Sequence, residues 1–118
     1  MSVTVYHNPR CSKSRATLEL LQKRGLEPEI VKYLEAPPEA SELRVLARKL
    51  DLQPKEFLRT AESVWKELGL DPDSIDETEL LELMSEHPIL IERPIVVCGD
   101  RARIGRPPGA VLEIVTDA

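Results

Sequence analysis

The sequence has little cysteine: only Cys11 and Cys98 among 118 residues. Two cysteines are too few for the disulfide framework of a small secreted protein. The N-terminus lacks the charged and apolar stretches of a signal peptide, and no apolar run approaches the roughly 20 residues that a membrane-spanning helix needs. We therefore expect a soluble protein of the reducing cytoplasm that has no membrane partner.

An excess of positive charge is also missing. The chain carries 16 basic and 21 acidic residues, a net charge of −5, which argues against nucleic acid as a general partner. There is no glycine-rich phosphate loop or dinucleotide fingerprint, and the histidines and cysteines show no metal-ligand spacing. We expect no bound metal or cofactor. The length fits a single domain over residues 1–118, and we expect a monomer.

The chain begins with an alternation of strand and helix. A strand is predicted over residues 3–6, which are β-branched or aromatic. The apolar spacing then becomes helical, and because Pro9 disfavours helix before it, the first helix begins only at about residues 10–12. The strand therefore leads into the helix at Cys11. A second strand, parallel to the first, is predicted over residues 28–34.

Residues 36–88 are predicted to be a series of helices without a strand. Their expected positions are 41–50, 54–58, 62–68 and from 76 to the stop at Pro88. Strands at 95–98 and 101–104, joined by a turn at 99–100, and a short proline-led helix follow. The order β-α-β, helical insertion, β-β-α is that of an α/β, thioredoxin-like fold. Pro94 stands where that fold places a cis-proline opposite the active thiol, and a cis bond to proline costs only about 0.5–1 kcal/mol.

The predicted position of Cys11 is the N-terminus of the first helix. Unpaired N–H groups and the helix dipole favour an anion there, so we expect a thiol more acidic than free cysteine. Three cations adjoin it in sequence: Arg10, Lys13 and Arg15. Ser12 and Ser14 can donate hydrogen bonds to the sulfur or to a bound oxyanion. The alternative is an inert, buried structural cysteine.

No second cysteine completes a C-x-x-C motif, because Ser14 occupies that position. Internal dithiol exchange at this loop is therefore excluded, and an adduct on Cys11 must be resolved by an external thiol or by Cys98. Cys98 ends an apolar strand, which favours an inert buried role. His7 could orient or deprotonate Cys11, or could be a turn histidine paired with backbone.

Three arginines stand at transitions between predicted elements: Arg59, Arg93 and Arg106. Guanidinium groups match tetrahedral oxyanions bidentately, so arginines that converge from element ends could form an oxyanion site. Each of them alone is more often a solvated surface charge.

Four segments resemble the glutaredoxin-coupled arsenate reductases of the ArsC type, in particular a shorter ArsC-like subgroup. They are residues 6–15, 33–38, 87–97 and 103–108, and the similarity extends nearly end to end. The resemblance implies a thioredoxin-like fold with a helical insertion. It also implies that Cys11 is the catalytic nucleophile, that His7 supports its low pKa, and that the three arginines bind arsenate.

By this resemblance, the Cys11 thiolate attacks arsenate and displaces water or hydroxide while the arginines stabilise the oxyanion. Glutathione, a co-substrate, then adds to arsenic, and the partner glutaredoxin reduces the mixed species so that arsenite leaves. Two other functions fit the same fold. One is a general thiol oxidoreductase with another substrate. The other is a redox-sensing regulator similar to the Spx transcription factors, although those usually carry C-x-x-C where this chain has Ser14.

Overall fold

The structure is a computed structural model that describes residues 2–115. The chain divides into two compact units. The first contains the residues up to Ala36 and those from Arg93 onwards, and the second contains Pro37–Glu92. In the described range, no helix combines the length and apolar character needed to cross a membrane.

The first unit is built on a four-stranded sheet in the order β2-β1-β3-β4. The strands are β1 (Val3–Tyr6), β2 (Glu29–Val31), β3 (Ile95–Cys98) and β4 (Arg101–Ile104). Strand β1 pairs parallel with β2 and antiparallel with β3, where Val5 lies opposite Val96. Strands β3 and β4 form an antiparallel hairpin whose turn contains Gly99 at φ +64°. Glycine adopts this left-handed conformation without steric cost.

Two helical elements pack against each other in this unit. Helix α1 (Ser12–Lys23) connects β1 to β2, and a 3-10 helix (Pro108–Glu113) follows β4. Alternate residues of the strands and the inner faces of these helices form the core: Val3, Val5, Leu21, Val96, Cys98, Val111, Ile114 and Val115. This β-α-β followed by β-β-helix is the predicted thioredoxin-like fold, and the residues between β2 and β3 are its helical insertion.

The second unit is helical. It contains α2 (Ala40–Leu50), α3 (Ser63–Leu68), α4 (Glu77–Glu86) and 3-10 helices at Pro54–Phe57 and Pro88–Leu90. Helix α2 packs on α4 and buries the residues of its i, i+3, i+4, i+7 stripe: Leu43, Leu46, Ala47 and Leu50. Asp76 caps α4 by accepting the N–H of Glu79 at 3.3 Å. A β-bridge joins Leu58, which was predicted to end a helix, to Ile91.

The predicted strands at residues 3–6, 95–98 and 101–104 are confirmed residue for residue. Of the predicted strand over residues 28–34, only Glu29–Val31 is a strand. The carbonyl oxygen of Lys32 accepts the N–H groups of Glu35 and Ala36, both at 2.9 Å, so the chain turns directly after β2. A local turn has replaced the extended backbone that the apolar and aromatic side chains favoured. That residues 1–118 form a single domain stays a prediction.

Candidate active site

Cys11 occupies the N-cap of α1, with extended backbone angles of φ −93° and ψ 123°. Its N–H donates to the carbonyl oxygen of Asn8 at 3.0 Å, and its own carbonyl accepts the N–H of Arg15 at 3.0 Å. The first bond closes the turn that contains Pro9, and the second belongs to the first turn of the helix. The thiol therefore lies at its predicted position, among the N-terminal amides of α1.

Several hydrogen-bond donors converge on the Cys11 sulfur, which belongs to a residue only 9% exposed. The backbone N–H groups of Ser14 and Lys13 and the side chain of Arg93 hydrogen-bond to it. Nη2 of Arg106 lies 3.6 Å from Sγ. A thiolate can accept from all of these groups at once, whereas a thiol uses part of its capacity as a weak donor. The surroundings therefore match the ionised form.

Opposing influences act on the acidity of this thiol. Burial raises the pKa of Cys11. Hydrogen bonds from the Ser14 amide, the Arg93 side chain and the Lys13 amide, with the charge of Arg93, outweigh burial and leave the pKa below its usual value. The lowered pKa agrees with the expectation from the sequence. The cations that contact the sulfur, however, come from the distant end of the chain. The neighbouring Arg15 instead donates to the carbonyl oxygen of Pro9 at 2.9 Å.

The two arginines at the sulfur flank the β3-β4 hairpin. Arg93 precedes β3 and Arg106 follows β4. Because the strands are antiparallel, these residues lie at the same end of the hairpin. Nε of Arg106 donates to the carbonyl oxygen of Arg93 at 2.8 Å. The Arg93-Pro94 bond is cis, as the fold suggested, and the Arg106-Pro107 bond, which was not anticipated, is also cis. The hairpin thus delivers two guanidinium groups to the thiol.

Gly105 allows the chain before Arg106 to pack closely. A Cβ at this position would lie 2.5 Å from Oγ1 of Thr17 and 2.8 Å from Cγ of Pro94. The N–H of Gly105 donates to the carbonyl oxygen of Pro94 at 2.9 Å. The sequence analysis did not single out this glycine; its place between a strand and a candidate arginine was the available signal. Any side chain here would push the arginine-bearing segment away from α1.

His7 and Ser14 form a buried polar pair behind the thiol loop. Nδ1 of His7 lies 2.6 Å from Oγ of Ser14, and the same hydroxyl oxygen accepts the N–H of Asn8 at 3.0 Å. The sequence suggested that His7 acts on Cys11 and that the Ser14 hydroxyl binds the sulfur or an oxyanion. In the structure the two side chains contact each other, and Ser14 reaches the sulfur through its backbone N–H. Direct catalytic and oxyanion-binding roles for them stay predictions.

The surroundings of His7 favour the neutral form of its ring. Burial lowers its pKa, and the positive charges of Lys32 and Arg15 lower it further. A neutral ring can accept the hydroxyl proton of Ser14 at Nδ1 while that oxygen accepts from Asn8. This arrangement satisfies the buried His7 ring, the buried Ser14 hydroxyl and the partly buried N–H of Asn8 together.

Arg59, the third candidate arginine, belongs to the second unit. Its Nε donates to Glu62 at 2.9 Å and its Nη1 donates to Glu92 at 2.7 Å. Burial lowers the pKa of Arg59, but the hydrogen bonds and charges of these two carboxylates raise it more, so the group is a permanent cation. Its role as an arsenate ligand stays a prediction.

Cys98 is 8% exposed, ends β3 and belongs to the apolar core. Neither cysteine takes part in a disulfide. Within residues 2–115, no three His, Cys, Asp or Glu side chains are grouped as a metal site would require. The polar site in the first unit is therefore a single thiol with cations and amides around it.

Comparisons with known proteins agree with this geometry. The sequence profile of the ArsC family matches residues 6–114. The protein YfgD of Escherichia coli K12 is 53% identical over 114 residues, which cover 96% of both chains. An arsenate reductase of Haemophilus influenzae is 48% identical over 116 residues, covering 98% of this chain and 100% of the relative. The structure of the arsenate reductase from Vibrio cholerae superposes with a TM-score of 0.93 at 50% identity, over 97% of this chain and 98% of that one. The chain therefore belongs to the ArsC family.

Proposed function

We propose that this protein is an arsenate reductase, an oxidoreductase that converts arsenate to arsenite. One observation carries the proposal: the Cys11 sulfur receives hydrogen bonds from two amides and Arg93, and Arg106 also lies at the sulfur. This combination offers a nucleophile and an oxyanion-binding group in one place. Relatives and a closely similar structure that bear the name arsenate reductase support it.

The guanidinium groups of Arg93 and Arg106 can bind the oxygens of arsenate, the electrophile. Arsenate is a tetrahedral anion, and the planar forks of Arg93 and Arg106 can each hold two of its oxygens. Charge on those oxygens is redistributed as sulfur approaches arsenic, and fixed donors stabilise it without reorganisation of solvent. The resemblance adds Arg59 to these ligands, which Arg59→Ala tests.

The first chemical step follows from the acidity of Cys11. The thiolate donates an electron pair to arsenic, an S–As bond forms, and one arsenate oxygen leaves as water after protonation from solvent. Arsenic remains As(V) in this step. A lowered thiol pKa increases the fraction of attacking thiolate at a given pH.

Reduction requires two external thiols, for which we propose glutathione and glutaredoxin. The glutathione thiol adds to the arsenic on Cys11, and its proton leaves with a hydroxide as water. A thiolate of glutaredoxin then attacks the glutathione sulfur, the electron pair of that S–As bond stays on arsenic, and the two sulfurs become a disulfide. Arsenic is now As(III), and water cleaves the remaining S–As bond to release arsenite and the Cys11 thiol. Both thiols are available in a reducing cytoplasm.

An arsenate reduction assay with glutathione and glutaredoxin tests the proposal. We expect arsenite from the wild type, none above background from Cys11→Ser, and near wild-type rates from Cys98→Ser. The control is informative because both variants lose one thiol. Arsenite production by Cys11→Ser at the wild-type rate, or none by a folded wild type, would contradict the proposal.

A further inference from the structure

Thr17 is a polar residue of α1 that is fully buried, with 0% of its surface exposed. Its Oγ1 donates a hydrogen bond to the carbonyl oxygen of Lys13, one helical turn earlier, at 2.8 Å. A threonine in a helix can adopt two rotamers, and this bond selects the one that places the hydroxyl at the backbone oxygen. The hydroxyl oxygen of Thr17 therefore has a fixed position relative to the first turn of α1.

The side chain of Thr17 packs against Gly105. A Cβ at Gly105 would lie 2.5 Å from Oγ1 and 3.2 Å from Cγ2 of Thr17, so the glycine backbone lies directly against both γ atoms. A methyl group in place of the hydroxyl would be larger and would push the glycine away, and an empty space would leave the glycine without a packing partner. The oxygen thus fits a contact that the side chains of valine and alanine do not fit.

Both sides of this contact lead to the Cys11 sulfur. On the helix side, the backbone N–H of Lys13, the residue whose carbonyl accepts from Thr17, hydrogen-bonds to Sγ. On the other side, Arg106 directly follows Gly105, and its Nη2 lies 3.6 Å from Sγ. The distance from Arg106 to the sulfur therefore depends on how closely Gly105 approaches α1.

We propose that Thr17 is a positioning residue, whose hydroxyl fixes the distance between the first turn of α1, where Cys11 lies, and the segment that carries Arg106. It acts on the site through Arg106, since its own side chain is buried against Gly105. Where the inference concerns arsenate it rests on the proposed function, in which Arg106 binds the oxyanion. Where it concerns the thiol it rests on the contacts alone.

Iodoacetamide labelling of Cys11 as a function of pH, in the Cys98→Ser background, tests this role without arsenate. Thr17→Val and Thr17→Ala both remove the hydroxyl, one with a larger group in its place and one with none. We expect each to raise the pH of half-maximal labelling, because Arg106 is no longer held beside the thiolate. Thr17→Ser keeps the hydroxyl and should keep the midpoint. A midpoint unmoved in the folded variants without the hydroxyl, or moved equally by Thr17→Ser, would overturn the proposal.

Thr78→Val is the matched control for the loss of a threonine hydroxyl on a helix. Thr78 lies on α4 in the second unit, and its Oγ1 accepts a hydrogen bond from Arg44 at 3.1 Å. This control also loses a side-chain hydrogen bond, but it should leave the labelling midpoint of Cys11 unchanged. A shift equal to that of Thr17→Val would show a general response to threonine replacement and overturn the proposal.

The Arg106→Gln background separates positioning from a general weakening of the fold. In that background Thr17→Val should leave the labelling midpoint where Arg106→Gln alone puts it, because the guanidinium that Thr17 positions is gone. An equal shift in both backgrounds would show that Thr17 does not act through Arg106, which would contradict the proposal.

Steady-state kinetics with arsenate separate the failure of this inference from failure of the proposed function. We expect kcat/KM for arsenate to fall by about tenfold in Thr17→Val and by less than about twofold in Thr17→Ser, since a displaced oxyanion ligand stabilises the transition state less well. Arsenate reduction that is equally fast in Thr17→Val and the wild type overturns the positioning role alone. A labelling midpoint that depends on the hydroxyl, in a protein that reduces no arsenate, supports the positioning role and contradicts the reductase proposal.

Discussion

Nε of Arg106 donates a hydrogen bond to the carbonyl oxygen of Arg93 at 2.8 Å. The bond ties the residue that follows β4 to the residue that precedes β3, and it leaves the Nη2 group of Arg106 3.6 Å from the sulfur of Cys11. The guanidinium of Arg106 therefore links the two ends of the hairpin and also contacts the Cys11 sulfur. Two cations held this close create a local positive potential that favours an anion, although the whole chain is acidic.

Replacement of Arg106 by lysine should lower kcat/KM for arsenate by about 10²-fold. A single ammonium group cannot bond the Arg93 carbonyl and also present a planar fork to the oxyanion. Steady-state kinetics with arsenate would measure the loss. The matched control is Arg101→Lys, since Arg101 is exposed on the same hairpin. Unchanged kinetics for Arg106→Lys would remove Arg106 from the oxyanion site.

The stability of the protein should depend on pH through Cys11. The folded-state pKa of this thiol is lowered, so its ionisation contributes stability that is complete above the unfolded pKa of about 8.5. That contribution is lost as pH falls through the lowered folded-state pKa. Urea unfolding midpoints at several pH values should therefore rise for the wild type relative to Cys11→Ser as pH increases towards about 8.5. A constant difference between the two proteins would show that the pKa is not lowered.

Gly105→Ala should destabilise the protein by about 1–3 kcal/mol, because its methyl group would overlap Thr17 and Pro94. It should also reduce arsenate turnover, since the displaced segment carries Arg106. Gly109→Ala is a matched control: a Cβ at Gly109 meets nothing within 4 Å. Denaturant unfolding of both variants measures the difference. Equal stabilities would contradict the close packing at Gly105.

Ser14→Ala should lower the free energy of unfolding by about 1–3 kcal/mol, because it leaves the buried Nδ1 of His7 and the partly buried N–H of Asn8 without their shared partner. Ser12→Ala tests the same chemical change at an exposed position of the same helical turn and should be nearly neutral. Unfolding free energies give the comparison. The His7 ring should also titrate differently by NMR in Ser14→Ala, which a purely apolar packing role would not produce.

Local signals in the sequence predicted much of the fold. β-branched residues define β1, and Pro9 prevents α1 from beginning before the Cys11 region. The Gly99-Asp100 turn sets the register of the β3-β4 hairpin. Each of these depends on residues only a few positions apart. The turn at Lys32 was missed because its backbone hydrogen bonds compete with side chains that favour a strand.

The site was predicted less completely, because its contacts join distant parts of the chain. Cys11 and Arg106 are 95 residues apart, and no spacing rule connects them. The family resemblance, and not the spacing, associated the arginines with the thiol. The pairing of the Ser14 hydroxyl with His7 depends on side-chain geometry, so the pattern of loop residues could not show that Ser14 uses its amide on the sulfur.

The rate of iodoacetamide labelling of Cys11 as a function of pH tests the central claim most directly. In Cys98→Ser, which leaves one thiol, we expect the labelling rate to reach its half-maximum below about pH 8.5, the usual pKa of cysteine. Arg93→Gln should move that midpoint upward, because it removes a hydrogen bond and a charge that lower the pKa. A midpoint at or above that of a short cysteine peptide, unchanged by Arg93→Gln, would contradict the assignment of Cys11 as a stabilised thiolate nucleophile.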